Sequence, residues 1–288
     1  MRYSSNLKQK LQLYKRRPGS FIVMILVIGS ALTTFLVLFF LVLYILSKGL
    51  PYITPSLFSL RYTSENVSVI PALINTVIMT FLSLLIAIPL GIGAAIFLAE
   101  YARRGNRFIY VIGLTTETLS GIPSIIYGLF GMIFFVTTCG WGYSLLAGAC
   151  TLAIMILPLI LRTTEEALKS VSDTYREGSF GLGAGKLRTI FRIVLPSAVP
   201  GILAGIILAV GRIVGETAAL IYTAGTVAQI PKSVLESGRT LSVHMYNLAN
   251  EGLHMDQAYA TAVVLLVLVL GINTLSAAVA KKMTKGQR

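Results

Sequence analysis

Two charged residues four positions apart, Arg212 and Glu216, interrupt a run that is otherwise apolar from Gly201 to Tyr222. If such a run crosses a bilayer, each charge costs about 2.5–3.5 kcal/mol at its centre, so something must offset it. A guanidinium is the side chain best matched to a tetrahedral oxyanion, because its forked donors meet two oxygens at once. At i, i+4 the two residues share one helix face. Two roles fit. The pair neutralises itself, although Arg before Glu is the less favourable order at this spacing. Alternatively Arg212 and Glu216 line a path for an anion, with Glu216 holding Arg212 in place or repelling anions until the pair opens. Gly201, Ala204, Gly205, Gly211 and Gly215 allow close helix contacts along the same run. Gly215 also leaves room for another backbone between the charges. Glu117 is a further acid near the membrane, followed by Ser120-Gly121-Ile122-Pro123-Ser124. Pro123 predicts a kink with freed backbone polar groups, and Glu117 either lines a cavity or sits at the cytoplasmic interface.

Other chemistry is missing from the pattern. The stretch from Gly181 to Lys186 resembles a phosphate-binding loop, but Phe180 stands where that loop needs glycine and Leu187 where it needs Ser or Thr, and no strand precedes it. ATP therefore has no predicted site in this chain, and any work must come from a separate ATPase. His244 and His254 have no acidic or Cys ligand set and are expected at the surface. Cys139 and Cys150 show no CxxC or Cys/His pattern and are expected as small packing residues. No paired carboxylates, nucleophile elbow or HExxH suggests catalysis. The expectation is a chain with no cofactor and no metal of its own.

The elements that position these residues follow from composition. Of 288 residues, 55% are hydrophobic and 12% charged, and the mean hydropathy is +0.81. Soluble domains carry about 25% charged residues, so lipid must be the solvent for much of this chain. The predicted fold class is an all-α polytopic membrane protein. Helices of roughly 20 apolar residues are expected at about 21–46, 70–98, 109–136, 143–161, 198–222 and 258–280. The first run, Phe21 to Leu46, is too long for a signal-peptide core and predicts a retained span. The uncharged stretch Thr118 to Leu161 is too long for one span, and Thr137 to Tyr143 supplies the turn, with Trp141 and Tyr143 suited to an interface.

The net charge of +13 is distributed as a topology signal, not as a nucleic-acid footprint. Basic residues gather in 1–20, in the 2–3 loop at Arg103, Arg104 and Arg107, in the 4–5 loop, and in 281–288. Only Lys48, Arg61, Lys232 and Arg239 occupy the alternate loops. Both termini are therefore expected in the cytoplasm. The predicted organisation is a basic tail at 1–20, a first span with its outer loop at 21–65, a core of five spans at 66–280 and a short tail at 281–288.

The longest cytoplasmic segment is the 4–5 loop, 162–196. Ser172 or Asp173 can cap a short helix beginning near Thr174. Lys186 to Pro196 is amphipathic and is expected along the membrane surface before span five. Within this loop Glu177-Gly178-Ser179, then Gly183, then nine residues, then Ile193-Val194-Leu195-Pro196 resembles the EAA motif of ABC-importer permeases. Gly178 and Ser179 replace two alanines, and both are small. The resemblance implies that Glu177, Gly178, Ser179 and Gly183 belong to a coupling helix that fits a cleft on a nucleotide-binding subunit.

A second resemblance covers about residues 66–280. Ser120 to Gly128, Gly211 to Thr217 and Ser237 to Tyr246 are similar to the phosphate permeases of the Pst system, the last stretch favouring the PstA over the PstC type. It implies a type I ABC importer fold in a bacterial cytoplasmic membrane. It also implies a PstC-like sister permease, two ATP-binding subunits that carry ATP and Mg, and an extracytoplasmic phosphate-binding protein. The family's intramembrane Arg and Glu fall on Arg212 and Glu216. A permease for sulfate or molybdate shares every physical feature read from the residues, and a membrane signalling or assembly protein is the reading from another class.

Overall fold

The structure, a computed structural model, describes residues 18–102 and 107–285. Arg2, Lys8, Lys10, Lys15, Arg16 and Arg17 of the expected basic tail lie outside the described residues, as do Arg103, Arg104 and Arg288. Every regular element among the described residues is helical. Helix α1 is Pro18–Gly49. After two 3₁₀ turns, α2 is Ile70–Ile96 with a π-helical turn Phe97–Tyr101 at its end. Next come α3, Arg107–Ser120, and α4, Ser124–Gly131, which runs on as the π-helical segment Met132–Thr138. Helix α5 is Leu145–Lys169 and α6 is Asp173–Gly181. Helix α7, Lys186–Thr189, passes through the π turn Ile190–Val194 into α8, Leu195–Gly215. The rest are α9, Ala218–Ile221, α10, Leu241–Glu251, and α11, Met255–Lys285.

Among the described residues five helical stretches are long and apolar enough to cross a membrane: Gly19–Tyr52, Ile70–Tyr101, Leu145–Lys169, Lys186–Gly215 and Met255–Leu275. The expected third span is instead two arms, Ile109–Ser120 and Ser124–Thr138, bent by 99°. Pro123 is the physical reason. Its backbone at φ −58°, ψ 139° cannot continue α3 and serves as the N-cap of α4. The segment Lys186–Pro196 is not a separate surface helix. It is the first part of the continuous helix Lys186–Gly215, in which Pro196 follows directly on the π turn Ile190–Val194. Helicity also reaches further than expected at both ends, beginning at Pro18 and running to Lys285.

Packing ranks the helices. In α5, 67% of the apolar window is buried, against none of it in α1. Helix α5 therefore forms the axis, lying between α2 and α8, while α1 presents its apolar side chains outward as a lipid-facing helix does. Met79 and Ala87 of α2, Leu152, Met155, Ile156 and Ile160 of α5, and Ala209 and Ile213 of α8 share one core. Glycines set the spacing. A methyl at Gly91 would meet Ile160 Cγ2 at 2.7 Å, one at Gly201 would meet Ala167 Cβ at 2.7 Å, and one at Gly205 would overlap Thr163. Gly211 and Gly215, by contrast, face open space within this chain. Polar side chains in the core bond back along their own helices, as Thr76 does to the Ala72 carbonyl, Ser83 to Met79 and Thr151 to Ala147. Between α4 and α5, Gly140 and Gly142 adopt φ +69° and +63° and make the turn read from the sequence. Trp141 stacks on Phe135 at 5.3 Å, whereas Cys139 is exposed there and packs against no core.

This packing makes a stability prediction. Gly205→Val should destabilise the purified protein by about 1–3 kcal/mol, because the α5–α8 contact has no room for it. Gly93→Ala, on an open face of α2, should not lower the melting temperature and should raise it slightly, because Ala favours the helix by about 0.5–1 kcal/mol over Gly. Equal melting temperatures for wild type and Gly205→Val would contradict the close α5–α8 approach.

Candidate functional site

Two helix breaks meet near Arg212. Helix α8 stops at Gly215, and Glu216 has extended backbone at φ −72°, ψ 130°. Arg212 and Glu216 therefore do not share one helix face. Arg212 lies in the last turn of α8, where the helix dipole favours a cation. Glu216 lies beyond the helix and caps the next one, its Oε1 accepting from the Ala219 N–H at 3.1 Å. No ion pair joins them among the described residues. The second break is the bend at Pro123. Tyr127, in the first turn of α4, is buried and lies within electrostatic range of Arg212. One turn of α4 touches α9 so closely that a methyl at Gly128 would meet Ala219 Cα at 2.8 Å.

Broken backbone at membrane depth must be satisfied by protein groups or line a cavity. Here side chains do the repair. Tyr127 Oη donates to the Leu119 carbonyl at 2.8 Å across the first break. Ser242 Oγ donates to the Glu216 carbonyl at 2.5 Å across the second. Glu216 is thus engaged in backbone repair, and Arg212, partly exposed, has no acidic partner among the described residues. An uncompensated guanidinium at the junction of two interrupted helices can receive an anion. Tyr127 and Ser242 had no signal in the sequence beyond their place inside similar stretches.

Glu117 sits elsewhere. It is exposed near the end of α3 and lines a surface cavity of about 380 Å³ with Arg162, Glu165, Glu166 and Lys169 of α5. Arg162 pairs with Glu166 at 3.2 Å and Lys169 with Glu165 at 2.5 Å. The structure therefore groups Glu117 with the charged end of α5 and not with Arg212.

The four motif residues of the 4–5 loop come together on α6 and its exit. Ser172 caps α6, accepting from the Thr174 N–H at 3.4 Å. Glu177 and Gly178 are exposed, and a methyl at Gly178 would meet nothing within 4 Å. Ser179 is buried and shares a 2.8 Å hydrogen bond with Thr189 of α7. Gly183, at φ +82°, turns the chain out of α6 in the left-handed region that favours glycine. Leu182 beside it is 91% exposed, and Tyr175, Phe180 and Leu187 are exposed around it. These side chains leave apolar surface exposed around the exit of α6. Sequence reasoning missed Arg176, counting it only as one basic residue among many. It bonds Glu100 at the end of α2 through Nη2 at 2.7 Å and Nε at 3.2 Å.

At the opposite end of the bundle, the 222–240 segment folds onto α2. Asn75 Nδ2 donates to the Gln229 and Arg239 carbonyls at 3.1 and 3.2 Å, and Thr76 Oγ1 accepts from the Leu241 N–H at 2.9 Å. His244 is fully buried, contrary to the surface position expected, while His254 is half-buried. Tyr62 packs edge-on to His244 at 6.0 Å and face-on to Arg239 at 4.7 Å. No cluster of His, Cys, Asp and Glu among the described residues could hold a metal.

Comparison with known proteins bears on the family and the fold. Residues 87–285 match the family described as "Binding-protein-dependent transport system inner membrane component". A probable ABC transporter permease protein of Bacillus subtilis, YqgI, is 38% identical over 70% of this chain and 74% of its own length. A probable phosphate transport system permease protein PstA of Methanocaldococcus jannaschii is 33% identical over 87% of this chain and 90% of its own. The solved bacterial alginate ABC transporter, in complex with an alginate-bound periplasmic protein, has a chain at TM-score 0.66. That chain is 19% identical, with 94% of this chain and 99% of that one covered. The last likeness shows the fold.

The buried histidine gives a pH prediction. Burial, with the Arg239 guanidinium beside it, lowers the His244 pKa to about 3. In the unfolded chain an ordinary histidine takes up its proton near pH 6.5. As pH falls through the window from about 6.5 to 3, the unfolded state binds the extra proton and the folded state loses stability, whereas above the window His244 contributes nothing. At about pH 5 the loss due to His244 should be about 2 kcal/mol. The melting temperature of wild type should therefore fall further between about pH 7.5 and pH 5 than that of His244→Asn. Parallel pH profiles would show that His244 is not held neutral.

Proposed function

The chain belongs to the binding-protein-dependent transport system inner membrane components, and from that premise we propose that it is the permease subunit through which an ATP-driven importer moves inorganic phosphate across the cytoplasmic membrane. One observation carries the proposal within the molecule: among the described residues Arg212 stands without an acidic partner where two interrupted helices meet. Its forked donors suit a phosphate oxyanion. The identity of the anion is supported by the phosphate permease relatives, among them the PstA protein that this chain matches over 90% of its length. The open space beside Gly211 and Gly215 fits a path completed by a second permease subunit of the PstC type. A PstC protein of Mesorhizobium japonicum is itself 34% identical over 71% of its own length.

The work enters at the other end. Helix α6, with Glu177 exposed and the apolar patch around Leu182, docks on one of two ATPase subunits, which bind the ATP and Mg that this chain does not. The excess of Lys and Arg in these loops supports an orientation with that end and both termini in the cytoplasm. An extracytoplasmic phosphate-binding protein delivers its cargo to the outer loops. ATP binding closes the ATPases, α6 moves with them, and the bundle opens outward. Phosphate passes Arg212, and hydrolysis resets the bundle.

Arg212→Gln should cut uptake of labelled phosphate at least tenfold in cells lacking other phosphate importers, while the purified complex keeps its subunits. Undiminished uptake in that variant would remove Arg212 from the pathway.

A further inference from the structure

Arg176 uses every donor it has. Nε and Nη2 bond Glu100 Oε1, Nη2 also bonds the Leu168 carbonyl at 3.0 Å, and Nη1 bonds the Val171 carbonyl at 2.7 Å and Asp173 Oδ1 at 3.0 Å. A guanidinium has five N–H groups, and these bonds occupy them all. The pair is shielded, with 15% of the Arg176 and 8% of the Glu100 side chain exposed. One side chain of α6 thus ties together the ends of α2 and α5. A second contact reaches the same spot from the far side of the docking segment, where Lys186 Nζ lies 4.4 Å from the ring of Tyr101, next to Glu100.

Helix α2 carries a matching attachment at its other end. Asn75 and Thr76 hold the backbone of Gln229, Arg239 and Leu241. From Asn75 to Glu100 the helix spans roughly 37 Å, about the thickness of a bilayer core with its margins. We propose that Arg176 and Glu100 are positioning residues forming the joint that fixes α6 to α2, so that force applied to α6 moves α2 and, through Asn75, the 229–241 segment at the opposite face. The inference rests on the coupling role proposed for α6. A surface ion pair would transmit little, because long exposed side chains reorient freely. A saturated, shielded guanidinium between three helix ends does not have that freedom.

The experiment uses the complete complex, purified through a tag on the ATPase and reconstituted with the binding protein. It compares Arg176→Gln, Glu100→Gln, the double variant and Arg176→Lys. The readouts are phosphate imported per ATP hydrolysed and hydrogen exchange in residues 173–181 and 229–241. Each Gln variant should keep the ATPase bound and lower import per ATP about tenfold. The double variant should be no worse than either single one, because one joint is lost only once. Arg176→Lys, which keeps the charge without the fork, should fall between. ATP should protect 229–241 in wild type and fail to do so in the Gln variants. Unchanged import per ATP, or losses that multiply in the double variant, would overturn the joint. If Arg176→Gln does not assemble, Glu100→Gln decides, since it leaves the α5 carbonyl bonds in place. Failure of the coupling reading itself looks different: Glu177→Lys would then leave ATPase co-purification and stimulated hydrolysis untouched.

Discussion

In lipid, every backbone N–H and C=O must find a partner inside the protein, and this chain breaks two of its helices where that rule is strictest. The breaks after Ser120 and after Gly215 free polar groups, and Tyr127, Ser242 and Glu216 take them up. That repair decides the electrostatics of the site. Once Glu216 accepts from the Ala219 N–H, it no longer neutralises Arg212 along a helix face. The guanidinium lies in the last turn of α8, where Gly211 and Gly215 face open space within this chain. The helix break, not an ion pair, sets the surroundings of Arg212 among the described residues.

The rest of the bundle holds that junction and connects it to the partner surface. Helix α5 is the fixed axis, gripped by glycine contacts on α2 and α8. Helix α6 stands off the bundle with its apolar patch outward, yet Arg176 and the Ser179–Thr189 hydrogen bond prevent it from swinging as a loop would. Firm anchoring of α6 and interruption at the junction are what the proposed roles require, an element that receives force and a site that opens and closes.

Much of this was legible in the sequence because the signals are local. Runs of uncharged residues mark the helices, Pro123 marks the first break, and Ser172 and Gly183 mark the start and the exit of α6. Pro123 announced a kink, though not that it would reach 99°. What failed depended on partners far along the chain. The i, i+4 pairing of Arg212 with Glu216 assumed that the helix continued, and nothing local says that Ser242 will cap a carbonyl at Glu216. His244 looked like a loop histidine because the fold of 222–240 onto α2, set by Asn75, has no periodic signature. Arg176 and Glu100 are 76 positions apart, and each alone reads as an ordinary charge at the end of an apolar run.

The most direct measurement concerns the charge at position 212 itself. In a chain with Cys139 and Cys150 replaced by serine, Arg212→Cys can be modified with methanethiosulfonate reagents that add an ammonium, a neutral or a sulfonate group. If Arg212 serves the anion through its charge, the ammonium adduct should recover phosphate uptake several-fold over the unmodified cysteine, and the neutral and sulfonate adducts should not. Equal uptake for all three adducts would contradict the account.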